Sequence, residues 1–526
     1  MESIHLKPKN DESPSSFAKR LGELYADSVS KDHKKKNGQF FTPLEIAHFM
    51  AAYFNSNRKE LKILDPGTGV GILSCALVEK IIANNKLVRK IELVVYEIDK
   101  DVIPLTIQSL EYLLKFAAKN EVVLTYEIRQ HDFILHNAHC FRDTSGDLFY
   151  KESEVFDIVI SNPPYFKIAK TDLRAIAASA VYSGHANIYS IFMALSTLLL
   201  KNDGQLIFIT PRSYASGGYF KVFRSFFFKK IQLNNVHLFV SRKDTFSRDK
   251  VLQETVIING FKQEYKLGNQ TEISSSSGIV DIDNARKRTY SSDRVLDLNT
   301  DEKIMYLPTS DYEEHVLGVF RTWRNKFIDY GVKVSTGPVV AFRSKKYLRS
   351  EYQNSNVYLA PLYWLHNIKQ MEIEWPIVKP KKEQYINIEP LAKPLLVPNK
   401  NYVLLRRFSS KDDKNRLVAA PYLQYYKKAE LIGLENKVNY IYRPGGELSN
   451  EETVGIAALL SSTIYDTYFR IFNGNVNVSA TELKEMTLPD LEVIQNIGST
   501  ILENNNFTID FINELVNNQI ELELTE

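Results

Sequence analysis

Three acidic side chains each follow a predicted β-strand in the first half of the chain. Asp65 follows the run LKIL, Glu97 follows ELVVY, and Asp132 follows VLTYEIRQH. In an open α/β sheet the carboxyl ends of parallel strands meet at one edge, and ligands bind there. A carboxylate at that edge can accept hydrogen bonds from ribose hydroxyls or from an adenine amino group. The pattern therefore predicts a site for a nucleoside ligand.

A glycine-rich turn, DPGTGVG at 65–71, joins the first predicted strand to a predicted helix. Glycines in such a turn let a nucleoside ligand approach the backbone closely. Their spacing differs from the G-x-G-x-x-G of dinucleotide sites. The adjacent acid, Asp65, suits an amino-acid-bearing cofactor better than a pyrophosphate. A plain tight turn is the structural alternative.

The segment SNPPYF, at 161–166, follows the β-branched run FDIVI. Its two consecutive prolines cannot donate a backbone N–H, so they end the strand. The segment is either a stiff turn or the place where the Asn162 amide and the Tyr165 ring meet a substrate.

Short apolar strands alternate with helical stretches between about residues 61 and 261, which predicts a mostly parallel, doubly wound α/β sheet. The predicted strands cover 61–65, 92–99, 123–133, 156–162, 205–210, 234–240 and 254–260. Residues 43–54 and 188–200 have helical spacing. A polar loop without a helix separates the last two strands, so we expect them to pair antiparallel. We expect an exposed loop at SSSSG, 274–278.

Four regions follow from changes in composition along the chain. We predict an N-terminal extension at 1–35, a catalytic domain at 36–265, a connecting region at 266–330, and a second domain at 331–526. The second domain is aromatic and basic and has no strand–helix alternation. Residues 452–472 and the last 35 residues of the chain have helical periodicity.

The composition is that of a soluble globular protein, with 44% hydrophobic and 25% charged residues. No apolar run approaches the roughly 20 residues of a transmembrane helix, and the polar N-terminus does not resemble a secretory signal. Cys75 and Cys140 have neither a disulfide pattern nor metal-site spacing. We therefore expect a cytoplasmic protein without metal. The net charge of +3 does not mark a nucleic-acid binder, although basic clusters occur, as at 379–382 and 406–407.

Five motifs, in this order, resemble those of S-adenosylmethionine-dependent DNA amino-methyltransferases of the gamma class. They are GQFFTP (38–43), DPGTGVG, YEID (96–99), HDF (131–133) and SNPPYF. Segments at 333–343, 402–420 and 472–489 resemble the PstI/BsuBI group of adenine modification methylases. The resemblance spans roughly 35–490. It implies a Rossmann-like class I methyltransferase domain with a mostly parallel seven-stranded sheet, and a C-terminal mixed α/β target-recognition domain.

The resemblance assigns one group of residues to the methionine end of S-adenosylmethionine. Thr42 and Pro43 would line that end, while Asp65, Gly67 and Gly69 would surround the methionine moiety.

A second group would hold the adenosine end. Glu97 would accept hydrogen bonds from the ribose hydroxyls, and Ile98 would pack against the adenine. Asp132, next to Phe133, would accept from the adenine amino group. Phe192 would cover the adenine, or else serve as a core residue of its helix.

For SNPPYF the resemblance implies methyl transfer to an exocyclic amino group of a base. Such a group is a poor nucleophile because its lone pair is delocalised into the ring. The Asn162 side-chain oxygen and the Pro163 carbonyl would accept its two N–H bonds, with Asn162 and Pro164 also bordering the cofactor. Tyr165 would stack on a base flipped out of the duplex. Positioning and preorganised dipoles would then supply most of the catalysis.

Further residues are candidates for contacts with DNA. Phe246 would cover the other face of the flipped base, or else pack against the sheet, and nearby Lys250 would meet a phosphate. Base edges are read by arginine and amide side chains, which also contact phosphates. In the second half the candidates are Arg343, Arg406, Arg407, Asn473 and Asn475.

The function implied is site-specific methylation of adenine N6 in double-stranded DNA, with S-adenosyl-L-homocysteine as the product. Such an enzyme protects DNA from a cognate restriction endonuclease, and we expect it to act as a monomer. Asn162, where cytosine-N4 enzymes usually have serine, favours adenine. Cytosine N4, RNA adenine and a protein glutamine amide remain alternatives, as do a nuclease–methylase fusion and an inactive binding subunit. The basic, aromatic second half favours a polynucleotide.

Overall fold

The chain forms two compact units, Met1–Thr309 and Ser310–Glu526. The computed structural model describes residues 5–29, 41–142, 154–182, 184, 186–240, 254–266, 268–298, 300, 302–350, 358–377, 379–409, 413–424, 429–474 and 477–525. Among these residues, none of the helices combines the length and apolar composition that a membrane crossing requires.

A nine-stranded sheet organises the first unit. Its strands are β1 (Glu60–Pro66), β2 (Lys90–Tyr96), β3 (Val123–Arg129), β4 (Phe156–Ser161), β5 (Leu200–Pro211), β6 (Ile231–Phe239), β7 (Thr255–Lys262), β8 (Gln270–Ser276) and β9 (Arg286–Ser291). They lie in the order β3-β2-β1-β4-β5-β7-β6-β8-β9. Strands β1 to β5 pair in parallel, and β7 runs antiparallel between β5 and β6, as expected. The predicted class I methyltransferase fold is confirmed, with two strands added to the expected seven.

Helices cover both faces of this sheet. They are α1 (Pro14–Ser28), α2 (Leu44–Ala52), α3 (Ile72–Asn84), α4 (Ile103–Lys119), α5 (Phe133–His136), α6 (Leu173–Ala177), α7 (Ile188–Leu199), α8 (Lys221–Lys230) and α9 (Ser292–Val295). Because side chains alternate along a strand, Ile158 and Ile160 of β4 enter one core while Val159 enters the other. Burial on both faces explains why β4 is mostly apolar, with Asp157 as its one charged residue. A two-stranded ribbon, Lys167–Ile168 with Ala186–Asn187, lies outside the large sheet.

The serine-rich stretch expected to be an exposed loop is wrongly predicted. Ser274 and Ser276 are buried on β8, and both ring nitrogens of His237 on β6 are hydrogen-bonded to their hydroxyls, at 2.9 and 3.0 Å. Burial lowers the pKa of His237 to about 4, so the ring is neutral and offers one donor and one acceptor. The polar side chains are satisfied inside the protein, and the stretch 266–330, expected only to connect two domains, contributes β8 and β9 to the sheet.

The second unit combines seven helices with short strands among its described residues. The helices are α10 (Asp311–Thr322), α11 (Ala341–Ser344), α12 (Asn450–Ser461), α13 (Thr463–Phe472), α14 (Ala480–Glu485), α15 (Leu491–Asn504) and α16 (Ile509–Thr525). One sheet contains Lys333–Thr336, Val438–Tyr442, Tyr402–Arg406 and Ala419–Tyr422, and another contains Leu348–Arg349, Tyr385–Asn387, Leu359–Tyr363, Leu431–Leu434 and Leu396–Pro398. Ile368–Lys369 pairs with Glu372–Ile373. The helical periodicity at 452–472 belongs to two helices, because Ser462 is extended and its hydroxyl caps α13.

Two glycines let α12 and α15 pack closely. A Cβ added at Gly455 would overlap the Ile494 carbonyl oxygen, and one added at Gly498 would overlap the Glu451 carbonyl oxygen. Neither site has room for a methyl group, so the helix crossing depends on the missing side chains.

We expect Gly455→Ala to lower the free energy of unfolding of the second unit by about 2–3 kcal/mol, the usual cost of overpacking. Gly318→Ala is the matched control, since Gly318 lies in α10 with no atom within 4 Å of its added Cβ. That change should stabilise α10 by up to about 1 kcal/mol. Urea unfolding followed by tryptophan fluorescence measures both, because Trp323, Trp364 and Trp375 all belong to this unit. Equal midpoints for the two variants would contradict the packing argument.

Candidate active site

The carboxyl ends of β1, β2, β3 and β4 lie side by side and bring the predicted site segments together. The Ser161 hydroxyl at the end of β4 donates to the Pro66 carbonyl at 2.7 Å. The Gly67 and Thr68 N–H groups both donate to the Tyr96 carbonyl at 3.0 Å. These bonds fasten the glycine turn between the ends of β2 and β4.

Asp65 is completely buried at the end of β1. Its Oδ2 accepts hydrogen bonds from the Thr68 hydroxyl at 2.8 Å and the Ser74 hydroxyl at 2.6 Å. Its Oδ1 is buried and has no hydrogen-bond partner among the described residues. Burial raises the pKa of Asp65 to about 6. An unsatisfied buried acceptor is costly, so this oxygen fits a ligand that carries a donor such as an ammonium group.

The glycine turn is shaped by left-handed backbone conformations at Gly67 (φ 76°) and Gly69 (φ 55°). A Cβ at Gly67 would lie 3.6 Å from Phe192 and 3.9 Å from Pro164, and one at Gly69 would lie 3.2 Å from Phe41. Both positions favour glycine, because another residue would be strained at these positive φ angles, and at Gly69 it would also be crowded by Phe41. The backbone therefore lies directly against the groups that border the predicted cofactor site.

Glu97 connects the end of β2 to the glycine turn. Its Oε2 accepts from the Gly69 N–H at 3.0 Å, and its Oε1 accepts from the Ile98 and Asp99 N–H groups, both at 2.8 Å. Burial raises the pKa of Glu97 to about 7. Ile98 beside it is 61% exposed, which leaves an apolar surface next to a buried acid. This combination fits a nucleoside, with hydroxyls for the acid and a flat ring for the isoleucine.

The predicted strand 123–133 is too long, since β3 ends at Arg129 and Asp132 precedes a short helix. The Asp132 Oδ1 accepts from the Ile134 and Leu135 N–H groups at 2.9 and 3.0 Å and so caps α5. Its Oδ2 lies 3.7 Å from Arg174. A structural role as an N-cap thus accounts for this acid, and Oδ2 is the oxygen left for a ligand.

Phe133 and Phe192 pack together below the ends of β1 and β3. Their ring centroids are 4.9 Å apart, and Phe133 also packs on Tyr96 at 5.0 Å. Phe192 is 8% exposed and belongs to the main core while also reaching Gly67. Both interpretations of Phe192 from the sequence therefore agree with its position.

The Asn162 amide is held from both ends. Its Nδ2 donates to the Thr42 hydroxyl at 3.1 Å, and its Oδ1 accepts from the Tyr165 hydroxyl at 2.5 Å. Thr42 is positioned by Pro43, the N-cap of α2. The amide oxygen therefore has a fixed direction, which an acceptor for a substrate N–H requires.

Tyr165 is held by groups that sequence reasoning did not identify. Its hydroxyl lies 3.1 Å from the Ile209 carbonyl of β5, and its ring packs against Tyr189 edge-on at 6.3 Å. Burial raises the pKa of Tyr165 well above its ordinary value, so the hydroxyl stays protonated. Tyr189 lies on α7, one residue after the predicted helix begins, but no sequence pattern indicated its contact.

The predicted DNA contacts have different outcomes. Phe246, Lys250 and Asn475 lie outside the described residues. Asn473 is buried, where its Oδ1 accepts from Arg416 at 2.6 Å and its Nδ2 donates to Glu482 at 3.0 Å. This corrects the expectation that Asn473 faces DNA, because its amide is used inside the second unit.

The three arginines predicted to contact DNA are more accessible than Asn473, since Arg343 is exposed and Arg406 and Arg407 are partly exposed. Arg343 is exposed on α11, with its guanidinium 5.3 Å from the ring of Phe342, itself 77% exposed. The Arg406 Nε donates to the Ile368 carbonyl at 2.6 Å, and an Arg407 nitrogen donates to the Asn436 carbonyl at 3.0 Å. These backbone bonds orient the last two guanidinium groups and engage one donor nitrogen of each. The Arg407 Nε is buried.

Two relatives of known class are similar in sequence to this protein along nearly the whole chain. Residues 90–246 match the family described as Eco57I restriction-modification methylase. Type II methyltransferase M.PstI of Providencia stuartii is 32% identical over 502 residues, which are 95% of this chain and 96% of the relative. Type II methyltransferase M.BsuBI of Bacillus subtilis is 32% identical over 473 residues, 90% and 91% of the two chains. The chain belongs to the type II restriction–modification methyltransferases.

Solved structures similar to this type II methyltransferase share little sequence with it. The DrdV–DNA complex is 14% identical and covers 93% of this chain and 59% of its own, with a TM-score of 0.47. A Listeria monocytogenes protein described as a class I S-adenosylmethionine-dependent methyltransferase is 17% identical. It covers 54% of this chain and 81% of its own, with a TM-score of 0.38.

The family implies S-adenosylmethionine as cofactor, and the residues at the sheet edge fit it. The buried Asp65 oxygen lacks a donor that the cofactor's ammonium group would provide, and the crowded glycine turn brings the backbone to the ligand. The cofactor supplies an electrophilic methyl group on a sulfonium. No cluster of three or more histidine, cysteine or carboxylate side chains within the described ranges is placed to hold a metal ion.

We expect the affinity for S-adenosylmethionine to fall as the pH drops through 7. The expected acceptor role of Glu97 needs its ionised carboxylate, and its pKa is about 7. Affinity should approach its maximum above that pH and decrease by up to about tenfold per pH unit between about pH 7 and 6. Below about pH 6 it should fall more steeply, because Asp65 is protonated as well. Isothermal titration calorimetry from pH 5.5 to 8.5 measures the change.

Glu97→Gln is the control for this titration. It should bind more weakly at pH 8 and lose the step near pH 7, while a step near pH 6 remains because of Asp65. An affinity of the parent protein that does not vary between pH 6 and 8 would contradict the role of Glu97.

Proposed function

We propose that this methyltransferase modifies adenine N6 at a specific site in double-stranded DNA. One observation carries the proposal: the Asn162 amide is clamped between Thr42 and Tyr165 at the end of β4, beside the glycine turn. The transferred methyl comes from S-adenosylmethionine, and S-adenosyl-L-homocysteine is released.

The Asn162 oxygen and the Pro163 carbonyl accept the two N–H bonds of the target amino group. Gripping both bonds localises the nitrogen lone pair and favours tetrahedral nitrogen, which raises its nucleophilicity. An amide oxygen has two lone pairs, so Asn162 can accept from the base while Tyr165 remains hydrogen-bonded to it. The rigid φ of proline holds the Pro163 carbonyl in one direction. The methyl–sulfur bond of the sulfonium would break as the new nitrogen–carbon bond forms, and a neutral thioether would leave. The methylated nitrogen becomes acidic and releases its surplus proton to water, so preorganised dipoles are enough and no strong base is required.

The target base must leave the duplex to reach this pocket. Tyr165 stacks on one face of the flipped base, supported by the edge contact of its ring with Tyr189. Phe246, which precedes β7 in the chain, covers the other face. In this arrangement the flipped base lies between two aromatic rings. The aromatic residue directly after the two prolines, Tyr165, provides one of them.

The second unit selects the DNA sequence. Arg343, Arg406 and Arg407 contact phosphates or base edges, and Lys250 of the first unit contacts a phosphate. The charge and exposure of Arg343 and the spare donors of the other two arginines support this role. The modification protects the site from a cognate restriction endonuclease, and a monomer suffices for transfer.

Incubation with labelled S-adenosylmethionine and plasmid DNA, followed by digestion to nucleosides, tests the proposal. Label is expected on N6-methyladenine. Label on cytosine N4, on RNA or on protein glutamine would replace the proposed substrate by one of those alternatives. Single-molecule sequencing of DNA from cells that express the protein then identifies the target site.

Asn162→Ala should reduce methyl transfer by about a hundred- to a thousandfold or more, the cost of removing one preorganised hydrogen-bonding group in other enzymes. The dissociation constant for S-adenosylmethionine should change less than about threefold, because Asp65 and Glu97 are untouched. Single-turnover transfer and calorimetric titration measure the two effects separately. Lost cofactor binding in this variant would show that Asn162 has a different role.

A further inference from the structure

The N-terminal helix packs directly on the predicted cofactor edge. Phe17, Leu21 and Tyr25 of α1 share a buried cluster with Val70 of the glycine turn and Val102 next to α4. Helix α1, which lies in the predicted N-terminal extension, therefore packs behind the glycine turn.

Tyr25 connects this helix to the acid at the end of β2. Its hydroxyl donates to the Asp99 Oδ2 at 3.0 Å, and the Asp99 N–H donates to the Glu97 Oε1 at 2.8 Å. Tyr25 is 1% exposed, and burial raises the pKa of its hydroxyl above the ordinary value, so the hydroxyl remains a donor. Its contact with Asp99 thus fixes the turn that carries Glu97.

The ring of Tyr25 reaches the other side of the same site. It packs edge-to-face on Phe41, with centroids 5.8 Å apart and an interplanar angle of 87°. Phe41 precedes Thr42 in the chain and lies over Gly69, whose N–H donates to the Glu97 Oε2 at 3.0 Å. The contacts form a closed ring that runs from Tyr25 through Asp99, Glu97, Gly69 and Phe41 back to Tyr25.

We propose that Tyr25 is a positioning residue for S-adenosylmethionine. It holds the acid that receives the ribose and the segment that contains Thr42 at a fixed separation, through one hydroxyl and one ring. The inference rests on the proposed cofactor roles of Glu97 and Thr42. For the hydroxyl it predicts an effect on cofactor affinity alone, since the hydroxyl contacts Asp99 behind Glu97. The ring makes the contact with Phe41 that leads to Thr42 and Asn162.

Tyr25→Phe tests the hydroxyl and keeps the ring. We expect the dissociation constant and KM for S-adenosylmethionine to rise about three- to tenfold, because a hydrogen bond to a charged group is lost from the turn that carries Glu97. The kcat at saturating cofactor and the KM for plasmid DNA should stay within about twofold of the parent values. This split between KM and kcat separates positioning from general loss of structure.

Tyr112→Phe is the matched control. Tyr112 lies on α4, its hydroxyl donates to the Glu12 carbonyl, and its ring packs edge-on against Phe17. It therefore loses a hydroxyl at the same helix interface without touching Asp99 or Glu97. Its KM for S-adenosylmethionine should equal that of the parent protein, and similar effects of the two variants would overturn the inference.

Asp99→Asn changes the acceptor of the same hydrogen bond. It tests the proposal even if Tyr25→Phe does not fold. It should also raise the KM, and the Tyr25→Phe, Asp99→Asn double variant should show less than the product of the two single effects. If the increases in KM of the two single variants multiply in the double variant, Tyr25 does not act through Asp99 and the proposal is contradicted.

Failure of the inference differs from failure of the proposed function. A parent protein that neither binds S-adenosylmethionine nor methylates DNA would refute the function itself. A parent protein that does both, together with Tyr25→Phe at parental KM, would refute only the role of Tyr25.

Discussion

The ligand edge of the first unit depends on one constraint: two carboxylates are buried at the ends of neighbouring parallel strands. Burial favours the protonated forms of Asp65 and Glu97 and raises their pKa values to about 6 and 7. Hydrogen bonds from hydroxyl and backbone donors in and after the glycine turn favour the ionised forms instead. The conformation of the turn therefore depends on its hydrogen bonds to the acids as well as on its glycines. Both oxygens of Glu97 accept hydrogen bonds from backbone N–H groups that stabilise this conformation.

The segment at the end of β4, residues 161–166, has a rigid backbone and an oriented side chain. Two prolines remove backbone donors and end the strand, while Ser161 anchors the segment to the Pro66 carbonyl. Asn162 then has little freedom, because Thr42 and Tyr165 bind opposite ends of its amide. A side chain that would rotate freely on the surface is oriented before any substrate arrives, which spares the entropy of ordering it during the reaction.

Sequence patterns predicted the strands and helices that are determined by residues close together in the chain. β4 and β7 are rich in β-branched residues, β1 contains the short apolar run of Ile63 and Leu64, and the helix at 188–199 shows its period directly. β8 was missed because its buried serines are satisfied by His237, far away in sequence. Likewise Asn473 reads as a surface amide, although Arg416 and Glu482 bury it. Tyr25 and Asp99 are 74 residues apart, so only folding shows that they meet.

One of the two edge strands of the large sheet, β9, begins with Arg286, Lys287 and Arg288. An edge strand exposes unpaired backbone groups that can recruit a strand from another molecule. Two copies aligned along this edge would bring like charges together, and that repulsion opposes the pairing. Three consecutive cations thus protect an otherwise open sheet from sheet-to-sheet aggregation, at a place far along the sheet from the strands that carry the active site.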